Sequence, residues 1–76
     1  MTTSNKLDYL IAQLRHVIPS MRFNAARALG ELGDPQAAEI LIATLKNDPS
    51  PDVRRAAAIA LQDMNIDLAE HGISDF

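Results

Sequence analysis

The sequence predicts an all-α fold: two stacked helical hairpins of an α-solenoid, closed by a short C-terminal cap. Three observations predict it. The stretch from Pro19 to Leu32 returns as Pro51 to Met64 at an offset of 32, with identities at Pro19/Pro51, Arg22/Arg54, Ala25/Ala57, Ala26/Ala58, Ala28/Ala60 and Leu29/Leu61. The segment before each copy repeats as well: Leu10, Ile11, Ala12 and Leu14 match Leu41, Ile42, Ala43 and Leu45 at an offset of 31. Each copy of the repeated helix also opens at a proline and carries apolar residues at helical spacing. A period of this size belongs to arrays of helical hairpins. Repeat 1 then covers about 4–33, repeat 2 about 34–65, and 66–76 form a cap or tail.

Taken in order, the first helix is expected over 4–16, with Ser4 or Asn5 as N-cap and Leu7, Leu10, Ile11 and Leu14 as its apolar stripe, widened by Tyr9 and Ala12. Pro19 opens the second helix, expected over 19–32, because proline is tolerated at the first helical position and disfavoured further in. Gly33 suits the left-handed residue that closes it. Asp34-Pro35 starts the third helix, expected over 35–47: the carboxylate accepts from free backbone N–H groups and the proline already has helical φ. Its apolar residues Ala37, Ala38, Ile40, Leu41, Ile42 and Leu45 span an arc of roughly 200°, so it must be buried on two sides. Ser50-Pro51-Asp52 repeats the start signal for a fourth helix over 51–63, whose core stripe is Val53, Ala57, Ala60, Leu61 and Met64. Asn65 stands where Gly33 stood, and 66–71 read like the opening turn of a third repeat that folds over the end as a cap. The matched alanines combine high helix propensity with close helix approach.

Leu29-Gly-Glu-Leu-Gly-Asp-Pro35, the Ile/Leu/Ala helix ending in Leu45-Lys46, and Pro51-Asp-Val-Arg-Arg-Ala-Ala-Ala58 resemble the short HEAT-like repeats of phycobilisome lyases. The resemblance covers about Leu7 to Met64. It is specific for fold and broad for function, since such repeats occur in bilin lyases, in phycobilisome-associated proteins and in unrelated adaptors.

Composition bounds the function from another side. Seventy-six residues make one small domain, which buries only about 60% of the surface of its unfolded chain. With no cysteine there is no disulfide, no Cys-based zinc site and no thiol nucleophile. The start lacks an apolar leader and no apolar run reaches the ~20 residues of a membrane span, so a soluble, cytoplasmic protein is expected. The net charge of −3 argues against nucleic acid as the main partner. Of the seven basic residues, Arg22, Arg27, Arg54 and Arg55 lie on the two repeated helices, whereas Asp63, Asp67, Glu70 and Asp75 follow Gln62 with no Lys or Arg among them.

Candidate sites are few. His16 and His71 are far apart in sequence and lack metal-ligand spacing; His16 reads as a residue of the last turn of the first helix, favoured there by the helix dipole. Gly30-Glu31-Leu32-Gly33 has neither a preceding strand nor a following Lys-Ser/Thr, so it reads as helix termination and not as a phosphate loop. The carboxylates fall at helix starts and on outward faces, where general acid and base work is not indicated. No catalytic, cofactor or metal residue is therefore assigned. The HEAT-like resemblance implies that Arg22 and Arg54 tie consecutive repeats together through loop carbonyls or an aspartate such as Asp34.

One strip stands out. Counting 100° per residue, the face away from the core carries Phe23, Arg27 and Gly30 in the first copy and Arg55, Ile59 and Gln62 in the second. The resemblance places this strip on the concave side, where partners bind, and aromatic and Arg residues are enriched at binding hot spots. The competing reading is that Phe23 folds back over the first helix or a loop. Two hairpins also leave apolar surface at the ends of the stack, so an end surface around Tyr9 and Leu7 is the alternative contact. The expected function is a non-catalytic adaptor that docks another protein, or a second copy of itself, through Phe23, Arg27, Arg55, Ile59 and Tyr9. The alternative implied by the resemblance is a subunit or relative of a phycobilin lyase or a phycobilisome-associated chaperone.

Overall fold

A computed structural model of the chain describes residues 5–73. They form four α-helices, α1 (Asn5–Gln13), α2 (Pro19–Leu32), α3 (Ala38–Asn47) and α4 (Pro51–Asp63), with 3₁₀ turns at Pro35–Ala37 and Leu68–His71 and no strand among the described residues. Two of the expected boundaries, those of α2 and α4, are met residue for residue, because a proline fixes each start. Ile18 and Ser50 are extended at φ −87° and −89°, the backbone that a residue before proline prefers, and helical φ/ψ begins at Pro19 and Pro51.

The other two helices are shorter than expected. α1 stops at Gln13, so Leu14 to His16 are a turn: Arg15 donates to the Ala12 carbonyl at 3.0 Å and His16 to that of Gln13 at 3.1 Å. The tightened i→i−3 bonds bring the chain from helix to the extended Ile18 within a few residues. His16 therefore lies outside the helix, and its Nδ1 accepts from the Ile18 N–H at 3.1 Å. The third helix opens with a 3₁₀ turn, in which Asp34 accepts from the Gln36 N–H at 2.9 Å, before α3 proper starts at Ala38.

The helix ends differ in chemistry. Gly33, at φ 71°, closes α2 through a single bond from its N–H to the Leu29 carbonyl. Asn65, at φ 62°, closes α4 with two, from its own N–H to Gln62 and from Ile66 to Leu61. That is the Schellman arrangement, and it aims Ile66 back at the core, where it packs half-buried. Leu68 follows it inward and is buried.

The core is one cluster running the length of the stack. Leu29, Leu41 and Leu61 are wholly inaccessible, and Leu10, Leu14 and Leu45 nearly so. α3 presents Leu41, Ile42 and Leu45 to the interior, with Ala38 and Ile40 half-buried, so its wide apolar arc is used on two sides. α1 is narrower than expected: Leu7 is buried, while Tyr9 and Ala12 face solvent. The stripe 7, 10, 14 already fills its contact with α2, leaving no apolar partner for residues 9 and 12.

α2 and α4 lie side by side and make the most extensive helix contact. They are parallel: their starts meet where Ser20 and Phe23 border Ser50 and Val53, and their far halves meet at Gly30 and Ala60. A Cβ added to Gly30 would stand 2.7 Å from the Ala60 Cα and 2.8 Å from its Cβ, so only glycine permits this approach. α1 and α3, the first helices of the two hairpins, stand further apart, with a shallow recess between Leu14 and Ile40.

Candidate protein-docking site

The parallel packing of α2 and α4 creates a groove on their outer side. α2 contributes Phe23, Arg27 and Glu31 at four-residue intervals, which brings them onto one stripe. α4 contributes Asp52, Arg55, Ile59 and Asp63, and the small side chains of Ala56 and Ala60 form the floor. The groove has a volume of about 520 Å³ and opens to solvent. Four of the five expected contact residues, Phe23, Arg27, Arg55 and Ile59, are thus gathered in one place. Phe23 is half-buried and packs against the core, Ile59 is 49% exposed, and both arginines reach solvent. Arg27 approaches Glu31 at 4.0 Å, an exposed i,i+4 pair, whereas Arg55 pairs with no acid among the described residues.

Gly30 does not belong to the strip. It is buried against Ala60, because position 30 points between the helices, whereas Glu31 continues the outward stripe. Gln62, the counterpart of Gly30 at the offset of 32, is exposed. The groove also includes Glu31, Asp52 and Asp63, which were not singled out from the sequence, where a carboxylate near a helix end reads as a capping or dipole residue.

Residues 3–65 match the family of HEAT repeats. The chain belongs to this family. Over 55 residues the HEAT-repeat chain is 42% identical to the phycocyanobilin lyase subunit beta of Thermosynechococcus vestitus (strain NIES-2133 / IAM M-273 / BP-1), an alignment that takes in 72% of this chain. The chain spans only 26% of that relative's length. No solved structure gives a match to it.

Within the HEAT-repeat chain Arg22 joins the two hairpins, whereas Arg54, expected to do the same, bonds within the second hairpin alone. Arg22 grips the Asp48 carboxylate with two bonds, Nε to Oδ2 at 2.8 Å and Nη2 to Oδ1 at 3.1 Å, and its Nη1 donates to the carbonyls of His16 and Val17. The acceptor is Asp48 and not Asp34, which is occupied in capping the 3₁₀ turn at the opposite end of α3. Arg54 repeats the loop contact, donating to the Asp48 carbonyl at 2.7 Å. Asp48 Oδ1 also accepts from the Ser50 N–H at 2.9 Å. One aspartate therefore holds the loop, both arginines and the start of α4.

Tyr9 lies on α1, away from the groove, and is 60% exposed. Leu7 does not join it at the surface, which narrows the end patch expected there. Among the described residues no cluster of three or more His, Asp or Glu is arranged to hold a metal ion, and no helix is long and apolar enough to cross a membrane.

Proposed function

We propose that this HEAT-repeat chain is a non-catalytic docking module that binds another protein along the α2/α4 groove, with Phe23, Arg27, Arg55 and Ile59 as the principal contacts. The observation that carries this reading is the gathering of an aromatic ring, an exposed aliphatic side chain and two guanidinium groups over an alanine floor. An apolar centre with charged surroundings is the arrangement of protein interfaces, and desolvation of aromatic and Arg anchors supplies most of their affinity. Tyr9 is a separate contact on the first hairpin. The test is capture of partners from a lysate of the source cells by the tagged chain. Phe23→Ala combined with Arg55→Ala should lower the captured partner at least about tenfold, or roughly 1.4 kcal/mol, with helix content unchanged. Capture unaffected by the pair would rule out the groove and leave the Tyr9 side.

A second reading follows from the 42% identity to a phycocyanobilin lyase subunit: a lyase-related protein that contacts a bilin or its carrier. Titration with free phycocyanobilin separates the two readings. A shifted and intensified absorption band would favour the lyase-related role, and an unchanged spectrum the docking module alone.

A further inference from the structure

The charges along the groove follow an order that selects a partner. Gly30 lies level with Ala60 and the two helices are parallel, so residue n of α2 stands beside residue n+30 of α4. On that scale Arg27 falls at level 57 and Glu31 at level 61, next to Arg55, Ile59 and Asp63 on α4. The two arginines lie on the N-terminal side of Ile59, with Asp52 beyond them at the start of α4, and Glu31 and Asp63 lie on its C-terminal side. Ile59 sits midway. With a rise of 1.5 Å per residue, Arg27 and Glu31 lie about 3 Å below and above the level of Ile59, and Arg55 and Asp63 about 6 Å below and above it. The four charges nearest Ile59 are thus antisymmetric about it, while Asp52, about 10 Å below, stands opposite a level beyond the end of α4, and the centre of this order carries an exposed aliphatic side chain.

A surface of this kind is complementary to itself when turned over. A two-fold axis lying in the face and crossing the helices at Ile59 sets α2 against α2 and α4 against α4 in antiparallel fashion. Arg27 then meets Glu31 of the second copy, Arg55 meets its Asp63, and the two Ile59 side chains meet on the axis. All four side chains are solvent-exposed, and the existing Arg27–Glu31 approach is long at 4.0 Å, so none must give up a strong bond. A register shifted by one helical turn would forfeit the matched pairs, which is how charge order fixes geometry.

We infer that the α2/α4 groove is a self-association surface and that its occupant is a second copy of this chain, docked antiparallel about Ile59. The inference rests on the reading of the groove as a docking surface and names the partner. Two helices about 20 Å long, spaced about 10 Å apart, offer roughly 400 Å² per copy, about 800 Å² in total and below the size of a stable specific interface, so the dimer is weak, transient and concentration-dependent.

Sedimentation of the protein over roughly 10 μM to 1 mM tests it, with Kd expected on the order of 0.1 mM. Arg55→Glu alone and Asp63→Arg alone should each weaken association at least about tenfold with helix content unchanged, since both residues are exposed. An equimolar mixture of the two variants should associate again, because each then offers the charge that the other lacks. The chain carrying both substitutions should also recover self-association. A chain that stays monomeric at 1 mM, single variants that associate like the parent, or a mixture that does not recover would each overturn the inference. Its failure is distinguishable from failure of the docking reading. A monomeric chain whose Phe23→Ala/Arg55→Ala variant still loses a captured partner leaves the groove as a docking site for a different protein. A dimer with capture unaffected would leave the self-association and remove the other.

Discussion

α2 and α4 are copies of one helix, with matching prolines, arginines and alanines, yet they are held differently. Arg22 makes four hydrogen bonds, two of them to a carboxylate contributed by the second hairpin, and Arg54 makes one, to a loop carbonyl. Gly30 is pressed against Ala60, whereas Gln62 at the equivalent place is exposed. A repeated sequence therefore does not distribute stability equally. Positions that face the neighbouring hairpin carry the bonds and the tight contacts, and their copies facing solvent carry few.

The comparison can be broken by substitution, beginning with the core cluster to which both hairpins contribute. Leu41→Ala or Leu61→Ala should destabilise by about 2–5 kcal/mol in denaturant unfolding, because each side chain is wholly enclosed and leaves a cavity. A small domain with a total stability of only about 5–15 kcal/mol would lose a large share. Arg22→Ala should cost about 2–3 kcal/mol, since it strands a nearly buried Asp48 carboxylate, and Arg54→Ala about 1 kcal/mol. Equal losses from the two would show that the matched arginines are equivalent after all. Gly30→Ala should cost about 1–3 kcal/mol, because the Ala60 backbone cannot yield as a flexible side chain would. Gln62→Ala, at the solvent-facing copy, should stay within about 0.5 kcal/mol. Smallest of all, Asn65→Gly should change stability by a few tenths of a kcal/mol, its left-handed φ suiting glycine at the cost of a more disordered unfolded chain.

Local signals were legible in proportion to how local their physics is. Pro19 and Pro51 fix the starts of α2 and α4 because the proline ring constrains backbone angles directly, and Gly33 closes α2 for a similar reason. The end of α1 was not legible, since the turn at 14–16 is set by where α2 must pack. Asp48 was missed as the partner of Arg22 because the two are 26 residues apart and Asp34 lies nearer to a helix start. Gly30 read as part of a termination signal, although its role is contact with a helix thirty residues on. The angular count brought Phe23, Arg27, Arg55 and Ile59 together, but it could not show that Glu31 and Asp63 complete the groove. Their placement depends on the parallel alignment of two helices, which no single helix records.

Asp48 has a consequence for how the molecule comes apart. Its side chain is held by the first hairpin, its carbonyl by the second, and its carboxylate anchors the amide that begins α4. In an array of repeats, cooperativity depends on the strength of the coupling between neighbours relative to each unit's own stability. Here the coupling passes through one loop residue in addition to the shared leucine core, so neither hairpin can open without breaking bonds that the other needs. The two hairpins are expected to melt in a single transition, with backbone amide exchange throughout α2 and α4 governed by the same opening event.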